Sequence, residues 1–157
     1  AGANLKNASD GMQNPEMVEI AVSSGVPVVL PFLSGEDPKS LEFVTGDPIK
    51  QIVHWFESSL DKLEKTGLKR EQLILDPGTG FGPANWEWED RYRYQEHVYS
   101  NIDELKVFGL PIYVALPWKF EDGRRHLLEI LLENSFDYGR THLPKKVLEI
   151  KREMESS

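Results

Sequence analysis

The chain has 157 residues, of which 39% are hydrophobic and 28% charged, and its formal net charge is −8. This length and composition are typical of one globular domain, and we expect a single domain over residues 1–157. No apolar run is long enough to span a membrane. An acidic surface repels nucleic acids and anionic lipids unless basic residues cluster locally, so neither partner is expected.

Cysteine is absent from the chain. Its absence excludes disulfide bonds and thiolate metal sites, and the histidines show no metal-binding spacing. We therefore predict no metal site within this sequence. A chain without cysteine suits a reducing compartment, which makes the cytoplasm the expected location.

The first part of the chain alternates a strand pattern with a helix pattern. A short strand is predicted within residues 4–9. Asn14 and Pro15 then suit the N-cap and first position of a helix that Gly25 ends. The β-branched run at residues 26–31 is typical of a strand buried on both faces.

A second helix is predicted to begin at Asp47-Pro48 and to end at Gly67. Its apolar residues recur at helical spacing and mark one buried face. These residues are Ile49, Ile52, Val53, Phe56, Leu60 and Leu63.

The second part of the chain repeats this alternation. We predict a strand at residues 73–76, a helix from about Asp90 to Phe108 that Gly109 stops, and a buried strand at 111–117. An apolar helix should begin at Asp122, residues 135–142 are a candidate last short strand, and Pro144 should open a final helix.

Strand–helix alternation with buried strands predicts an α/β fold, in which a parallel sheet is covered by helices. The pattern gives four or five strand–helix units. A complete (β/α)₈ barrel typically needs about 250 residues. The sequence therefore predicts an open parallel sheet or about half of a barrel.

The segment "LILDPGTGFGP" places Asp76 at the carboxyl end of a buried strand, where parallel α/β folds collect their functional groups. A carboxylate there can accept two N–H bonds from a planar ligand, or it can cap a helix or pair with a nearby cation. Gly78, Gly80 and Gly82 permit close approach of backbone to a ligand, or a tight structural turn. The spacing matches neither a dinucleotide fingerprint nor a P-loop.

Three residues that can carry a positive charge stand at or after the later strands. Lys119 closes the segment "PIYVALPWK", two residues after the strand at 111–117, and it can neutralise an anion or remain an exposed lysine. Arg140 and His142 stand two apart on an extended segment, where both can face a phosphate or serve as ordinary surface charges. An aromatic group in the loop after Asp76 can stack on a ring or pack on itself. Its members are Trp86, Trp88, Tyr92 and Tyr94.

The segment around Asp76 resembles the Asp-Pro-Gly-x-Gly-Phe-Gly motif of dihydropteroate synthases and their pterin-binding relatives. Other segments fall in the family's order. "AGANLKNASDG" and "NPEMVEIAVSSGVPVVL" are similar to its fourth strand, the following helix and its fifth strand. "LPIYVALPWK" occupies the place of its seventh strand, and "GRTHLPKKVLEI" that of its final Arg-x-His and last helix.

This resemblance implies a TIM barrel, of which the chain would be the C-terminal half without the first three β/α units. It implies a transferase that joins an aryl amine to a hydroxymethylpterin diphosphate in folate-type biosynthesis. The implied catalytic residues are Lys119, Arg140 and His142, the last two also holding the diphosphate. The implied pterin-binding residues are Asn7, Asp76, Gly78, Gly80, Phe81 and Lys119.

Several positions depart from the family pattern. An ungapped match places Lys6, rather than Asn7, at the family's pterin-binding asparagine, and Pro117-Trp118 replaces its Ser-Arg. Mg²⁺ is the cofactor that the resemblance allows, but the family's ligand residue is not present in this sequence. We therefore expect a chain that is inactive alone and that forms a homo-oligomer or joins a partner half-barrel. Methyl transfer between a folate or pterin and a corrinoid protein, and a non-catalytic binding module, remain the alternatives.

Overall fold

The computed structural model describes residues 2, 4–35, 46–121 and 123–156. Within these ranges strands and helices alternate, as predicted. Their order is β1 (Lys6–Asn7), α1 (Pro15–Ser24), β2 (Val28–Pro31), α2 (Pro48–Glu64), β3 (Leu73–Asp76), α3 (Trp88–Ser100), β4 (Tyr113–Ala115), α4 (Arg124–Glu133), β5 (Tyr138–Arg140) and α5 (Pro144–Glu155). Two 3₁₀ helices, Arg70–Gln72 and Ile102–Phe108, precede β3 and β4.

All strand pairs in the described part of the chain are parallel. β1, β2 and β3 form one sheet, in that order, and β4 pairs with β5. A parallel bridge between Leu75 and Ile112 joins the two sheets, and the Leu75 amide donates to the Pro111 carbonyl at 2.8 Å. The predicted parallel β/α repeat is therefore confirmed.

The two faces of this sheet differ in what covers them. Val28, Leu30 and Leu75 belong to the main core, which the helices build together with the strands. Val29, Ile74 and Tyr113 point the other way and form a small separate cluster. Because side chains alternate along a strand, Asp76 lies on the same face as Ile74.

Strand register places two predicted site residues on that second face. Asn7 pairs with Val29 of β2, and Val29 pairs with Ile74 of β3. Arg140 pairs with Ala115 of β4, which is two residues beyond Tyr113 and therefore shares its side. The face opposite the helices thus carries Asn7, Asp76 and Arg140.

The predicted helix signals of α1 are present. The Asn14 side chain accepts a hydrogen bond from the Glu16 amide at 2.9 Å, which satisfies one of the helix's unpaired N-terminal donors. Gly25 follows the helix with φ +66°, a left-handed conformation that glycine adopts without steric cost. α2 begins at Pro48 as predicted, although it ends at Glu64, before Gly67.

The helix predicted from Asp90 to Phe108 is wrong in its extent. α3 starts at Trp88, and it ends at Ser100, after which a separate 3₁₀ helix covers Ile102–Phe108. Asn101 separates the two, and its side chain donates to the His97 carbonyl at 2.8 Å. A side chain that bonds the preceding turn competes with continuation of the helix. Gly109 terminates the second piece in the left-handed region, as predicted.

The last strand forms. β5 pairs with β4, and the Leu116 amide donates to the Arg140 carbonyl at 2.9 Å. The Asp137 carboxylate accepts from the Ile112 amide at 2.7 Å and fixes the entry into β5. The predicted helix start at Asp122 falls outside the described residues, and Gly123 is the N-cap of α4.

No helix within the described ranges combines the length and apolar character needed to cross a membrane.

Candidate functional site

The end of β3 carries a buried carboxylate. Asp76 is 5% exposed, and its Oδ1 accepts a hydrogen bond from the Gly78 amide at 2.8 Å. Burial raises the pKa of Asp76 to about 6, while the Gly78 N–H and the positive charge of Arg140 act in the opposite direction. Burial disfavours the charged form because water no longer solvates it. Asp76 can therefore exist as an acid or as a carboxylate near neutral pH.

The backbone after Asp76 must turn sharply beside β2. Gly78 has φ +71°, and a Cβ atom there would clash with the Phe32 carbonyl oxygen. Phe32 in turn donates its amide to the Asp76 carbonyl at 2.8 Å. Glycine is thus required at position 78 on both steric and conformational grounds.

Polar side chains from α3 hold the loop that follows. Gln95 Nε2 donates to the Thr79 carbonyl at 2.8 Å, and the Tyr99 hydroxyl donates to Thr79 Oγ1 at 3.2 Å. The Tyr99 hydroxyl also lies 3.4 Å from the Ala115 carbonyl of β4. Burial raises the pKa of Tyr99 to about 12, so this tyrosine stays protonated as a donor. These contacts fix the glycine loop against the end of β4.

A cavity of about 380 Å³ opens between this loop and the ends of β4 and β5. Its volume lies within the range usual for small-molecule sites. Its described lining includes Arg91, Arg124, Arg140 and His142, and it includes no aspartate or glutamate. In a chain of net charge −8, this lining favours an anionic ligand.

Aromatic rings form much of the cavity wall. Trp86 and Tyr94 pack with ring centroids 5.1 Å apart. The Arg124 guanidinium carbon lies 3.6 Å from the centroid of Trp88 and 5.9 Å from that of Trp118. Such a wall suits a planar ring, which can stack on indole or guanidinium faces.

The structure brings four predicted site residues into this cavity: Gly80, Phe81, Arg140 and His142. Asp76 does not line it, but it lies within electrostatic reach of Arg140, Tyr94 and Tyr99, which do. Asn7 is exposed on β1 and is outside the described lining. Lys119 is also outside it, with its ammonium 5.0 Å from the Trp118 ring centroid.

Sequence reasoning missed several residues that shape the site. Thr79, Gln95 and Tyr99 form the hydrogen bonds that hold the glycine loop. Arg91 and Arg124 add positive charge from the first turns of α3 and α4. Except for Thr79, which lies in the glycine loop, each stands on a helix, where an isolated polar residue carries no site signal. For Arg91 and Arg124, the clue that the sequence offers is their place near the start of a helix that follows a strand.

The described residues contain no group of three or more histidines, aspartates or glutamates placed to hold a metal ion. The donors around the cavity are cationic or neutral, which does not fit the oxygen ligands that Mg²⁺ requires. No role of the described residues is therefore assigned to a metal.

Solved structures of dihydropteroate synthases share this fold. The Yersinia pestis enzyme in a sulfonamide drug complex has a TM-score of 0.77 and 24% sequence identity, and the match covers 99% of this chain and 59% of that one. The Anaplasma phagocytophilum enzyme with bound 6-hydroxymethylpterin-monophosphate has a TM-score of 0.74 and 25% identity, over 98% of this chain and 64% of that one. The α/β fold described above is thus part of the barrel of these enzymes.

Curated sequences give the same relationship. Dihydropteroate synthase of Escherichia coli K12 is 28% identical over 128 residues, which span 78% of this chain and 42% of that protein. The probable bifunctional folylpolyglutamate synthase/dihydropteroate synthase of Haloferax volcanii is 30% identical over 116 residues, or 73% of this chain and 13% of that protein. The chain therefore spans less than two thirds of each relative.

The family described as pterin binding enzyme matches residues 1–119. The match includes β1 to β4, with Asp76 and its glycine loop, and it ends before Arg140 and His142. It covers well over half of the 157 residues. This chain belongs to the pterin binding enzyme family.

Proposed function

We propose that this chain supplies the pterin- and diphosphate-binding part of a dihydropteroate synthase. The synthase joins an aryl amine to a hydroxymethylpterin diphosphate. The observation that carries the proposal is that a buried carboxylate, Asp76, and the cation Arg140 stand at neighbouring strand ends on one face of the sheet. The dihydropteroate synthase relatives and the pterin family match support it.

Asp76 would bind the pterin. A pterin edge presents an amino group beside a ring N–H, and a carboxylate can accept both donors at once. Burial strengthens these bonds because water does not compete for the donors. Gly78 and Gly80 would let the loop lie close to the ring, with Phe81 at the cavity beyond. We also assign Asn7, on β1, and Lys119, four residues after β4, to the pterin, because the family resemblance implies these roles.

Arg140 and His142 would hold the diphosphate. Transfer breaks the bond between the pterin methylene carbon and the diphosphate oxygen, and it forms a bond from that carbon to the amine nitrogen. Pyrophosphate leaves with the bonding electrons, and the amine loses a proton. Cations that contact the leaving oxygens stabilise this developing charge. Arg140, His142 and Lys119 are therefore the proposed catalytic residues.

Titration calorimetry with two ligands tests this assignment. The chain should bind 6-hydroxymethylpterin, and it should bind the diphosphate of that pterin more tightly. Arg140→Gln should lower the affinity for the diphosphate ligand about tenfold or more, since a charge-assisted hydrogen bond is worth about 1.5–3 kcal/mol. The same variant should change the affinity for the unphosphorylated pterin by no more than about twofold. That change is small, because a factor of 10 in affinity corresponds to about 1.4 kcal/mol. Equal loss for both ligands, or no preference in the wild-type chain, would contradict the role of Arg140.

A further inference from the structure

The face of the sheet that carries Asp76 and Arg140 also carries a tyrosine between them. Tyr113 lies on β4, which bridges to β3 on one side and pairs with β5 on the other. The parallel bridge between Leu75 and Ile112 places the next residues of the two strands, Asp76 and Tyr113, side by side. Arg140 pairs with the residue two positions after Tyr113 and therefore shares its side of the sheet. A carboxylate, a phenol and a guanidinium thus stand on three consecutive strands.

Apolar contacts hold the ring of Tyr113. The residue is 9% exposed, and it packs in one cluster with Val29 of β2 and Ile74 of β3. The ring therefore leans from its own strand towards β3, on which Asp76 stands. Because these contacts involve the ring alone, its position does not depend on the hydroxyl group.

The hydroxyl group of Tyr113 makes no hydrogen bond with another residue in the described part of the chain. Burial raises the pKa of Tyr113, while the positive charge of Arg140 lowers it and the negative charge of Asp76 raises it. The hydroxyl is thus within electrostatic reach of both groups, and it keeps its proton at neutral pH. It can serve there as a hydrogen-bond donor that the protein itself does not use.

The position of this donor suits a ring that Asp76 holds by its edge. A ligand that reaches from Asp76 to Arg140 crosses β4, since each strand lies about 4.8 Å from the next. In a pterin, the amino group and ring N–H that a carboxylate can bind are flanked on each side by an acceptor, a carbonyl oxygen or a ring nitrogen. A donor one strand away from the carboxylate complements such an acceptor.

We propose that Tyr113 is a further ligand-binding residue, whose hydroxyl donates a hydrogen bond to an acceptor atom of the ring that Asp76 holds. Naming this ring as a pterin rests on the proposed function. Asp76 accepts from the ligand and Tyr113 donates to it, so the two together recognise a pair of donors beside an acceptor. Tyr113 therefore contributes to specificity through the hydrogen-bond pattern of the ring and not through its charge.

The test is Tyr113→Phe, which removes the hydroxyl and keeps the ring in its cluster. Calorimetric titration with 6-hydroxymethylpterin should show an affinity about 3- to 10-fold below that of the wild-type chain, the effect of one neutral hydrogen bond. Thermal unfolding of the variant without ligand should show no loss of stability, because the hydroxyl bonds no other described residue. A weaker affinity at unchanged stability separates a ligand contact from a structural role.

The neighbouring tyrosine provides a matched control. Tyr138 pairs with Tyr113 from β5, on the same face but one strand farther from Asp76, and it is 52% exposed. Tyr138→Phe should change the affinity by no more than about twofold. The proposal is overturned if Tyr113→Phe binds as tightly as the wild type, if both variants lose affinity equally, or if Tyr113→Phe also unfolds at a lower temperature.

The same titrations distinguish this inference from the proposed function. Pterin binding by the wild-type chain that Tyr113→Phe retains in full would reject the role of Tyr113 alone. A wild-type chain that does not bind the pterin would reject both.

Discussion

At the scale of single residues, the site depends on a carboxylate that the fold keeps from water. The pKa of Asp76 is raised from 3.8 to about 6, with burial as the main cause. Between these values the folded protein binds more protons than the unfolded chain does. Folding stability due to this group is therefore full at low pH and is lost as pH rises from about 4 to 6, by about 3 kcal/mol in total.

The loss of stability with rising pH leads to a prediction for Asp76→Asn. Above pH 7 the variant should be more stable than the wild type by about 1–3 kcal/mol, because it removes a buried charge. Below pH 4 the two should converge. Urea unfolding of both proteins at several pH values measures the difference in their free energies of unfolding. The other carboxylates titrate in both proteins, so their contribution cancels in this difference.

Asp103→Asn is the control for that experiment. The pKa of Asp103 is lowered, chiefly by its bond with Lys106. The group is exposed, and its removal should give a small effect of opposite sign, with the wild type favoured at neutral pH. A stability difference for Asp76→Asn that does not change with pH would contradict the account of Asp76.

At the scale of elements, the turn after β3 is the most constrained piece of backbone in the site. Gly78→Ala should destabilise the protein by about 2–4 kcal/mol, the sum of a positive φ and a clash with the Phe32 carbonyl. Gly109→Ala is the matched control, because Gly109 has φ +63° with no atom within 4 Å of the added Cβ. It should cost only about 1 kcal/mol. Thermal unfolding measures the loss of stability in both variants. Equal losses would show that the clash with the Phe32 carbonyl does not contribute.

Elements with strong local signals were predictable from the sequence. The apolar run that contains β2 and the Asn14-Pro15 start of α1 depend on residues next to each other, and both are present. Strand lengths were overestimated, since β4 covers only Tyr113–Ala115 of the predicted 111–117, with single contacts to neighbouring strands on either side of it. Pairing length depends on the partner strand, which no local pattern reports. The break at Asn101 was missed because one side-chain bond causes it.

In the site too, the residues that stand close together in sequence were predictable, and those that meet only through folding were not. Asp76 and its glycines stand in one short segment and were found there. Arg124 and Trp88 are 36 positions apart in sequence, and they come into contact only in the folded chain. No pattern along the sequence shows such a contact, so its discovery needed the structure.

At the scale of the whole molecule, one outer strand and two helices leave apolar side chains in solvent. Tyr138 on β5 is 52% exposed, and Leu148 on α5 is 51% exposed. Ile20 on α1 is 53% exposed. An unprotected strand edge with apolar neighbours tends to pair with another chain. The homo-oligomer or partner half-barrel expected from the sequence stays a prediction.

Sedimentation velocity over a range of concentrations tests that prediction. The chain should self-associate, and Tyr138→Lys should weaken the association by placing a charge on the edge strand. Val107→Glu is the control, since Val107 is 75% exposed on the 3₁₀ helix and belongs to no strand. A monodisperse monomer at all concentrations would contradict the expectation.

The central claim is that Asp76 binds a pterin, and calorimetric titration with 6-hydroxymethylpterin tests it most directly. At pH 7.5 the wild-type chain should bind the ligand, and Asp76→Asn should lose about 2 kcal/mol or more of the binding free energy, because a neutral amide replaces a buried carboxylate acceptor. The wild-type affinity should also fall below pH 6, as Asp76 takes up its proton. Equal binding by both proteins, or an affinity that does not change between pH 5 and 7.5, would contradict the account.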